Sequence, residues 1–284
     1  MERAGIVAAL LLATLLTPFS AQAGDRLLAT GGITQVEGSA GGGLVPWAII
    51  AGIGTRDQIG GAAFYTAIDS GDFRLSSYGA ALGLYDRVEL SLAQQSFTID
   101  DTRGVKIRQD IAGVKFRIAG DAVFAPDQWL PQIAVGLQYK KNRDMAAPRA
   151  AGARHDSGTD IYLAATKFYF AGLAGRNVLL DATVRATKAN QLGILGFGGD
   201  RRDRYQMQLE VSSVVFLNDQ FVVGAEYRAK PDNLSAFRED DYADLFAAWF
   251  IRRNVALTVA YLRTGEIAGK RNQNGLYLSM QLSH

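Results

Sequence analysis

Eight basic side chains, Lys106, Arg108, Lys115, Arg117, Lys140, Arg185, Arg228 and Lys230, and five acidic ones, Asp110, Asp181, Glu210, Glu226 and Asp244, fall on the polar parity of segments whose alternate residues are apolar. Charges placed in this way belong in water or against one another, because a Lys or Arg aimed into lipid at mid-depth costs roughly 2 to 4 kcal/mol. If the segments are the walls of a barrel, these thirteen residues line its lumen. An open lumen of that composition is a polar conduit with a mild preference for anions. A closed one is cross-linked by salt bridges and impassable to solutes. The residues admit both readings.

Catalytic residue types cluster locally only at His155-Asp156-Ser157, a histidine base, a carboxylate and a hydroxyl. Neighbouring side chains of an extended segment point to opposite faces, whereas a triad is assembled from separated positions. The expectation is therefore a protein that is not an enzyme, with a membrane hydrolase using His155 and Ser157 as the alternative. The tracts Lys140-Lys-Asn-Arg143 and Asp200-Arg-Arg-Asp-Arg204 could bind lipopolysaccharide phosphates through charge-assisted hydrogen bonds, or be solvated loop faces. Gly52-Ile-Gly54 and Gly196-Phe-Gly198-Gly199 lack the spacing of a nucleotide loop. The acidic run Glu239-Asp240-Asp241 lacks that of a calcium loop. No cofactor is implied.

Composition narrows the classes further. The 284 residues carry 30 Lys+Arg against 28 Asp+Glu, no cysteine and two histidines. A formal charge of +2 is too small an excess for neutralising phosphates, so nucleic acid is not an expected partner. The absence of cysteine removes disulfide scaffolds and thiolate metal sites. Residues 1–23 start with Arg3, continue through an apolar run from Ile6 to Leu16 and end in Ala21-Gln22-Ala23, the pattern of a cleaved secretory signal. No later apolar run approaches the ~20 residues of a membrane helix, so an integral membrane protein of this sequence must be a barrel.

From about residue 47 onward, segments of roughly 10 to 14 residues alternate with period two, as transmembrane strands do. Phe221, Val223, Ala225 and Tyr227 share one parity, and Gly224, Glu226, Arg228 and Lys230 the other. Connections are alternately short (Asp86-Arg87, Asn218-Asp219, Arg253-Asn254) and mostly long (141–156, 189–203, 231–241, 265–274). Such asymmetry is that of an outer-membrane barrel with both termini on the periplasmic side and an even strand number. The expected fold is all-β, an antiparallel up-and-down transmembrane barrel of 12 to 14 strands, forming one domain over 24–284 with a glycine-rich segment at about 24–46.

Twelve strands are counted from Ile59 to His284. Fourteen is preferred, pairing 27–37 with 47–55, because the lipid-grade stretch Ala48-Ile-Ile-Ala-Gly-Ile53 needs apolar surroundings. The alternative folds the glycine-rich segment into the lumen. In the segment 105–118, Val105, Ile107 and Ile111 are odd, whereas Val114, Phe116 and Ile118 are even. A β-bulge near Ala112-Gly113 would reconcile them, as would a different assignment of the inner face. Aromatics near strand ends, Trp47, Tyr85, Trp129 and Trp249 among them, suggest interfacial girdles.

The stretches Thr30-Gly-Gly-Ile-Thr-Gln-Val-Glu-Gly38, Gly41-Gly-Gly-Leu-Val-Pro-Trp47 and Tyr85-Asp-Arg-Val-Glu89 resemble a family of uncharacterised Gram-negative outer-membrane proteins classed as a domain of unknown function. The resemblance covers nearly the whole chain after the signal and implies location without an activity or site residues. The expected function is a porin-like channel for small polar or anionic solutes. The alternative is a closed structural or interaction barrel contacting lipopolysaccharide or an envelope partner. Expected partners are outer-membrane lipid, lipopolysaccharide, the barrel-assembly machinery and a small solute. The chain ends Leu282-Ser-His284, not in the terminal aromatic that assembly machinery usually reads.

Overall fold

A computed structural model describes residues 32–100, 104–125 and 127–284. The signal sequence expected at 1–23 lies outside the described residues. Twelve antiparallel strands close into a barrel: β1 (Ile59–Ser70), β2 (Phe73–Leu84), β3 (Val88–Ile99), β4 (Val105–Ala119), β5 (Gln132–Asn142), β6 (Ser157–Leu173), β7 (Arg176–Thr187), β8 (Gln206–Phe216), β9 (Phe221–Arg228), β10 (Tyr242–Arg252), β11 (Val255–Arg263) and β12 (Asn274–Ser283). Each strand pairs with the next in sequence, and β12 closes on β1 with Leu278 opposite Ala67. Closure leaves no unpaired edge.

Alternation sorts the wall as expected of lipid on one side. Leu90, Leu92, Leu163, Leu209, Leu245, Val259 and Leu278 are all exposed on the outer face. Their neighbours Glu89, Tyr162, Glu210, Asp244 and Thr258 are buried inside. Among the described residues no helix is long and apolar enough to cross a membrane; the strands have that surface.

The turns follow from their residues. Tyr85 and Asp86 both have positive φ, and Arg87 N–H donates to Leu84 O at 2.9 Å, a type I′ hairpin between β2 and β3 centred one residue earlier than Asp86-Arg87. Asn218 Oδ1 accepts the N–H groups of Gln220 and Phe221, both at 2.8 Å, fixing the β8–β9 turn. The connections 143–156, 188–205, 229–241 and 264–273 emerge at one end, called upper below; both ends of the described chain lie at the lower end.

Two expectations are overturned. The barrel has twelve strands, not fourteen, because residues 32–52 are inside it: nearly all are buried, and their only ladder is Ile33–Thr34 against Ala40–Gly41. The apolar stretch from Ala48 to Ile53 thus finds its surroundings in the lumen rather than in lipid. Trp47 is buried there as well, so it belongs to no girdle. Nor is there a bulge at Ala112-Gly113. The ladder from β3 to β4 runs without interruption from Val88–Phe116 to Ile99–Val105. The shift on β4 falls between Arg117 and Ala119, against β5. Odd residues of β4 face inward, Ile107 buried against the lumen's contents and Ile111 against Phe64 and Ala93 of the neighbouring wall.

Candidate functional site: the occupied lumen

The segment 32–58 enters the lumen from the lower end, turns back near Glu37 and leaves into β1. Thr34 Oγ1 donates to Gln281 Oε1 at 2.7 Å near the lower end of β12. After the turn, Leu44 N–H and Val45 N–H donate to Glu226 at 2.7 and 3.3 Å. Thr183 Oγ1 donates to Pro46 O at 2.9 Å, and Ala48 N–H to Thr166 Oγ1 at 2.7 Å. Gln132 Nε2 donates to Ala48 O at 2.8 Å. Lower still, Glu89 accepts from Ser39 Oγ at 2.8 Å, Ala40 N–H at 3.2 Å and Ala51 N–H at 2.9 Å. Lys115 Nζ donates to Ala40 O at 3.0 Å, Ile49 O at 2.8 Å and Glu89 at 3.0 Å. A segment with so short a ladder must place its remaining backbone polar groups elsewhere; here side chains of the wall receive many of them. Close approach needs glycine at position 42, where an added Cβ would lie 1.9 Å from Glu226 Oε1.

The turn carries Glu37 into a ring of buried charges near the upper end. Its carboxylate pairs with Arg228 Nη1 at 2.8 Å and with Lys140 Nζ, and Arg185 Nη2 stands 3.9 Å away. Gln35 Nε2 donates to it at 2.8 Å. Lys140 also meets Asp160 at 2.6 Å. Arg185 reaches Glu210 at 2.5 Å and Asp160 at 3.5 Å, and Arg228 Nε lies 3.2 Å from Glu210. Three cations thus face three carboxylates, one of which comes from the plug.

Below this ring, Asp181, Ser212, Glu226 and Asp244 are direct cross-strand neighbours on β7, β8, β9 and β10. Among the described residues no ion pair joins these three carboxylates to a base. Asp181 is held by Thr166 Oγ1, which donates at 2.5 Å, and Glu226 by the plug backbone.

A second closure comes from above. Residues 189–199 fold inward and are buried. Leu192 O accepts from Lys140 Nζ at 3.3 Å and from Gln109 Nε2 at 3.2 Å, and Asn142 Nδ2 donates to Ile194 O at 2.5 Å. Gln109 Nε2 also lies 3.0 Å from Gln95 Oε1, whose amide donates to Val36 O at 2.9 Å. Lid and plug are therefore bonded to shared side chains. Beside them Lys230 pairs with Glu239 at 3.4 Å and sits 3.7 Å over the Tyr242 ring. Burial pushes its ammonium down to about 8 against the pull of Glu239 and Asp241.

Of the thirteen side chains assigned to the lumen from sequence, Lys115, Arg117, Lys140, Asp181, Arg185, Glu210, Glu226, Arg228, Lys230 and Asp244 are buried on the inner side. Arg117 pairs with Asp86 and with Asp121, 2.8 Å away, at the lower rim. Lys106, Arg108 and Asp110 are instead on the outer parity of β4, near the upper rim. Arg108 pairs with Asp144 at 2.9 Å and Asp110 with Arg143. The reason is that Ile107 and Ile111, assigned to lipid, pack inward, Ile107 in the cluster that includes Val36 and Leu192. Sequence reasoning missed Glu37, Glu89 and Asp160. On the strand walls the basic residues inside become five, Lys115, Arg117, Lys140, Arg185 and Arg228. The acidic residues are six: Glu89, Asp160, Asp181, Glu210, Glu226 and Asp244. The basic excess inferred for the whole lumen is therefore absent, and positive charge is concentrated in the upper ring.

Within His155-Asp156-Ser157 the histidine is bonded away from the other two. His155 Nε2 lies 2.9 Å from Asp203, Asp156 pairs with Lys141 at 2.6 Å, and Ser157 Oγ donates to Asp156 at 3.2 Å.

A family model described as "Protein of unknown function (DUF3034)" matches residues 30–281. The chain belongs to that family. No curated protein matches it. Among solved structures it is similar to the KdgM porin in complex with disordered oligogalacturonate, at 9% identity and TM-score 0.50, covering 78% of this chain and 99% of that one. The NanC porin gives 9% identity and TM-score 0.50 over 78% of this chain and 98% of that one. These likenesses show the fold, that of an outer-membrane porin barrel. Inside the barrel Glu89, the end of the third family-like stretch, accepts the N–H groups of Ala40 and Ala51, on either side of the second.

Proposed function

We propose that the protein is a porin-like channel of the outer membrane, kept shut at rest by its own residues 32–58, and that it passes small polar or anionic solutes when this plug withdraws. Signal-directed export would bring the chain to the periplasm, and the assembly machinery would insert it with its long loops outside and plug entrance inside. The observation that supports this reading best is Glu37. The ring of Lys140, Arg185 and Arg228 against Asp160 and Glu210 is charge-balanced only while that plug residue is in place. Withdrawal would leave three cations and two carboxylates at the upper end, a constriction that favours anions locally.

Planar-bilayer recordings test it. The wild-type protein is expected to be nearly silent, whereas a Glu89→Gln/Glu226→Gln variant, which weakens two acceptors of the plug backbone, gives discrete steps. Silence from both folded proteins would remove the channel, and constitutive wild-type conductance would remove the plug. A second reading, a permanently closed barrel contacting lipopolysaccharide or an envelope partner, is favoured by the inward fold of residues 189–199. Silence of both proteins would leave that reading.

A further inference from the structure

We infer that Lys140, Arg185 and Arg228 form a carboxylate-binding site, and that Glu37 is its tethered occupant, standing where a carboxylate-bearing solute binds once the plug has moved. The inference rests on the proposed channel only for its physiological use; the site itself is a matter of geometry. Glu37 is the only charged residue between Arg26 and Arg56, and it sits at the tip of the plug. It has no exposed surface, and a carboxylate buried in that manner persists only with directed charge partners. Arg228 Nη1 and Gln35 Nε2, both 2.8 Å away, address one oxygen, and Lys140 Nζ the other. With Arg185 flanking at 3.9 Å, three of the four donors belong to the wall and stay behind when the plug leaves; Gln35 departs with Glu37. The wall donors are already held apart by Asp160 and Glu210, so the site is pre-organised for a planar monoanion. One negative charge balances the ring. Phosphate, with its greater charge and tetrahedral oxygens, matches less well.

Chemical rescue of the full-length protein provides the test. Glu37→Ala removes the tethered carboxylate and leaves room for a small one. Propionate is expected to raise the urea midpoint of this variant towards that of the wild type, whereas chloride at equal ionic strength does not. Propionate should bind Glu37→Ala at least about tenfold more tightly than it binds the wild type, a difference of about 1.4 kcal/mol. Adding Arg228→Gln should abolish the rescue. If Glu37→Ala does not fold alone, its refolding yield in propionate against chloride is the readout, and no gain in propionate overturns the site. Equal effects of propionate and chloride, or tighter binding of inorganic phosphate than of propionate, also overturn it. Rescue by propionate in a protein that never conducts keeps the site and removes the channel; conductance without rescue does the reverse.

Discussion

The upper ring and the acidic row beneath it share β7, β8 and β9, two residues apart on β8 and β9 and four on β7, yet they solve burial differently. On β7, β8 and β9 the ring uses Arg185, Glu210 and Arg228, and the row uses Asp181, Ser212 and Glu226. In the ring each charge faces opposite charges no more than 3.9 Å away. The row has three carboxylates and no cation; neutral hydroxyls and plug amides are its donors. The ring therefore depends on charge, and loses most when a single partner is removed. The row depends on the plug's backbone being present and on Gly42 letting it come close. Two kinds of contact hold one segment, and they should fail differently.

The largest effect is expected at the hub of the ring. Arg185→Met removes the base that faces Glu37, Asp160 and Glu210 together, leaves three buried carboxylates to two cations, and should cost roughly 3–5 kcal/mol, read as a lower urea midpoint with unchanged slope. Next, matched charge removals separate the two regions. Glu210→Gln should destabilise by about 2 kcal/mol more than Glu226→Gln, because the first deprives two arginines of a partner while the second keeps an amide oxygen for Leu44 N–H and relieves the charge beside Asp244. Equal costs would erase the distinction. Gly42→Ala drives a methyl into Glu226 and should cost about 1–2 kcal/mol, with faster proteolysis of the plug.

The smallest effect concerns the lid. Lys230 has a folded value of about 8 against an ordinary 10.5. Between those values the unfolded chain binds the extra proton, so this group adds stability as pH rises and adds none below about pH 7. Raising the pH from 7.5 to 9 should contribute about 1 kcal/mol, and the gain should vanish in Lys230→Met, whose lid lacks the titrating ammonium beside Glu239, Asp241, Arg228 and Tyr242.

Much of the barrel was legible because each strand shows water or protein on one face and lipid on the other. Even the missed Glu89 and Asp160 obey that rule: each shares a parity opposite to Leu90 and Leu92, or Ile161 and Leu163. The rule breaks where the interior is itself apolar. Ile107 meets the plug and lid instead of water, so the parity of β4 reads backwards, and Lys106, Arg108 and Asp110 read as inner residues although they lie on the outer parity. The same cause explains the preference for fourteen strands, since an occupied lumen accepts an apolar stretch as readily as lipid does. Glu37 had no alternating context to reveal it. Its signal was isolation, a lone acid in a long uncharged stretch.

The central claim, that residues 32–52 occupy the lumen, is tested most directly by thiol accessibility. The chain has no cysteine, so Ala48→Cys and Asp57→Cys each introduce a single thiol, the first at a fully buried plug position and the second at an exposed one. In folded protein a bulky maleimide is expected to label Asp57→Cys within minutes and to leave Ala48→Cys unmodified until the barrel is unfolded. Labelling of both at the same rate in the folded protein would mean an empty lumen and would contradict the account.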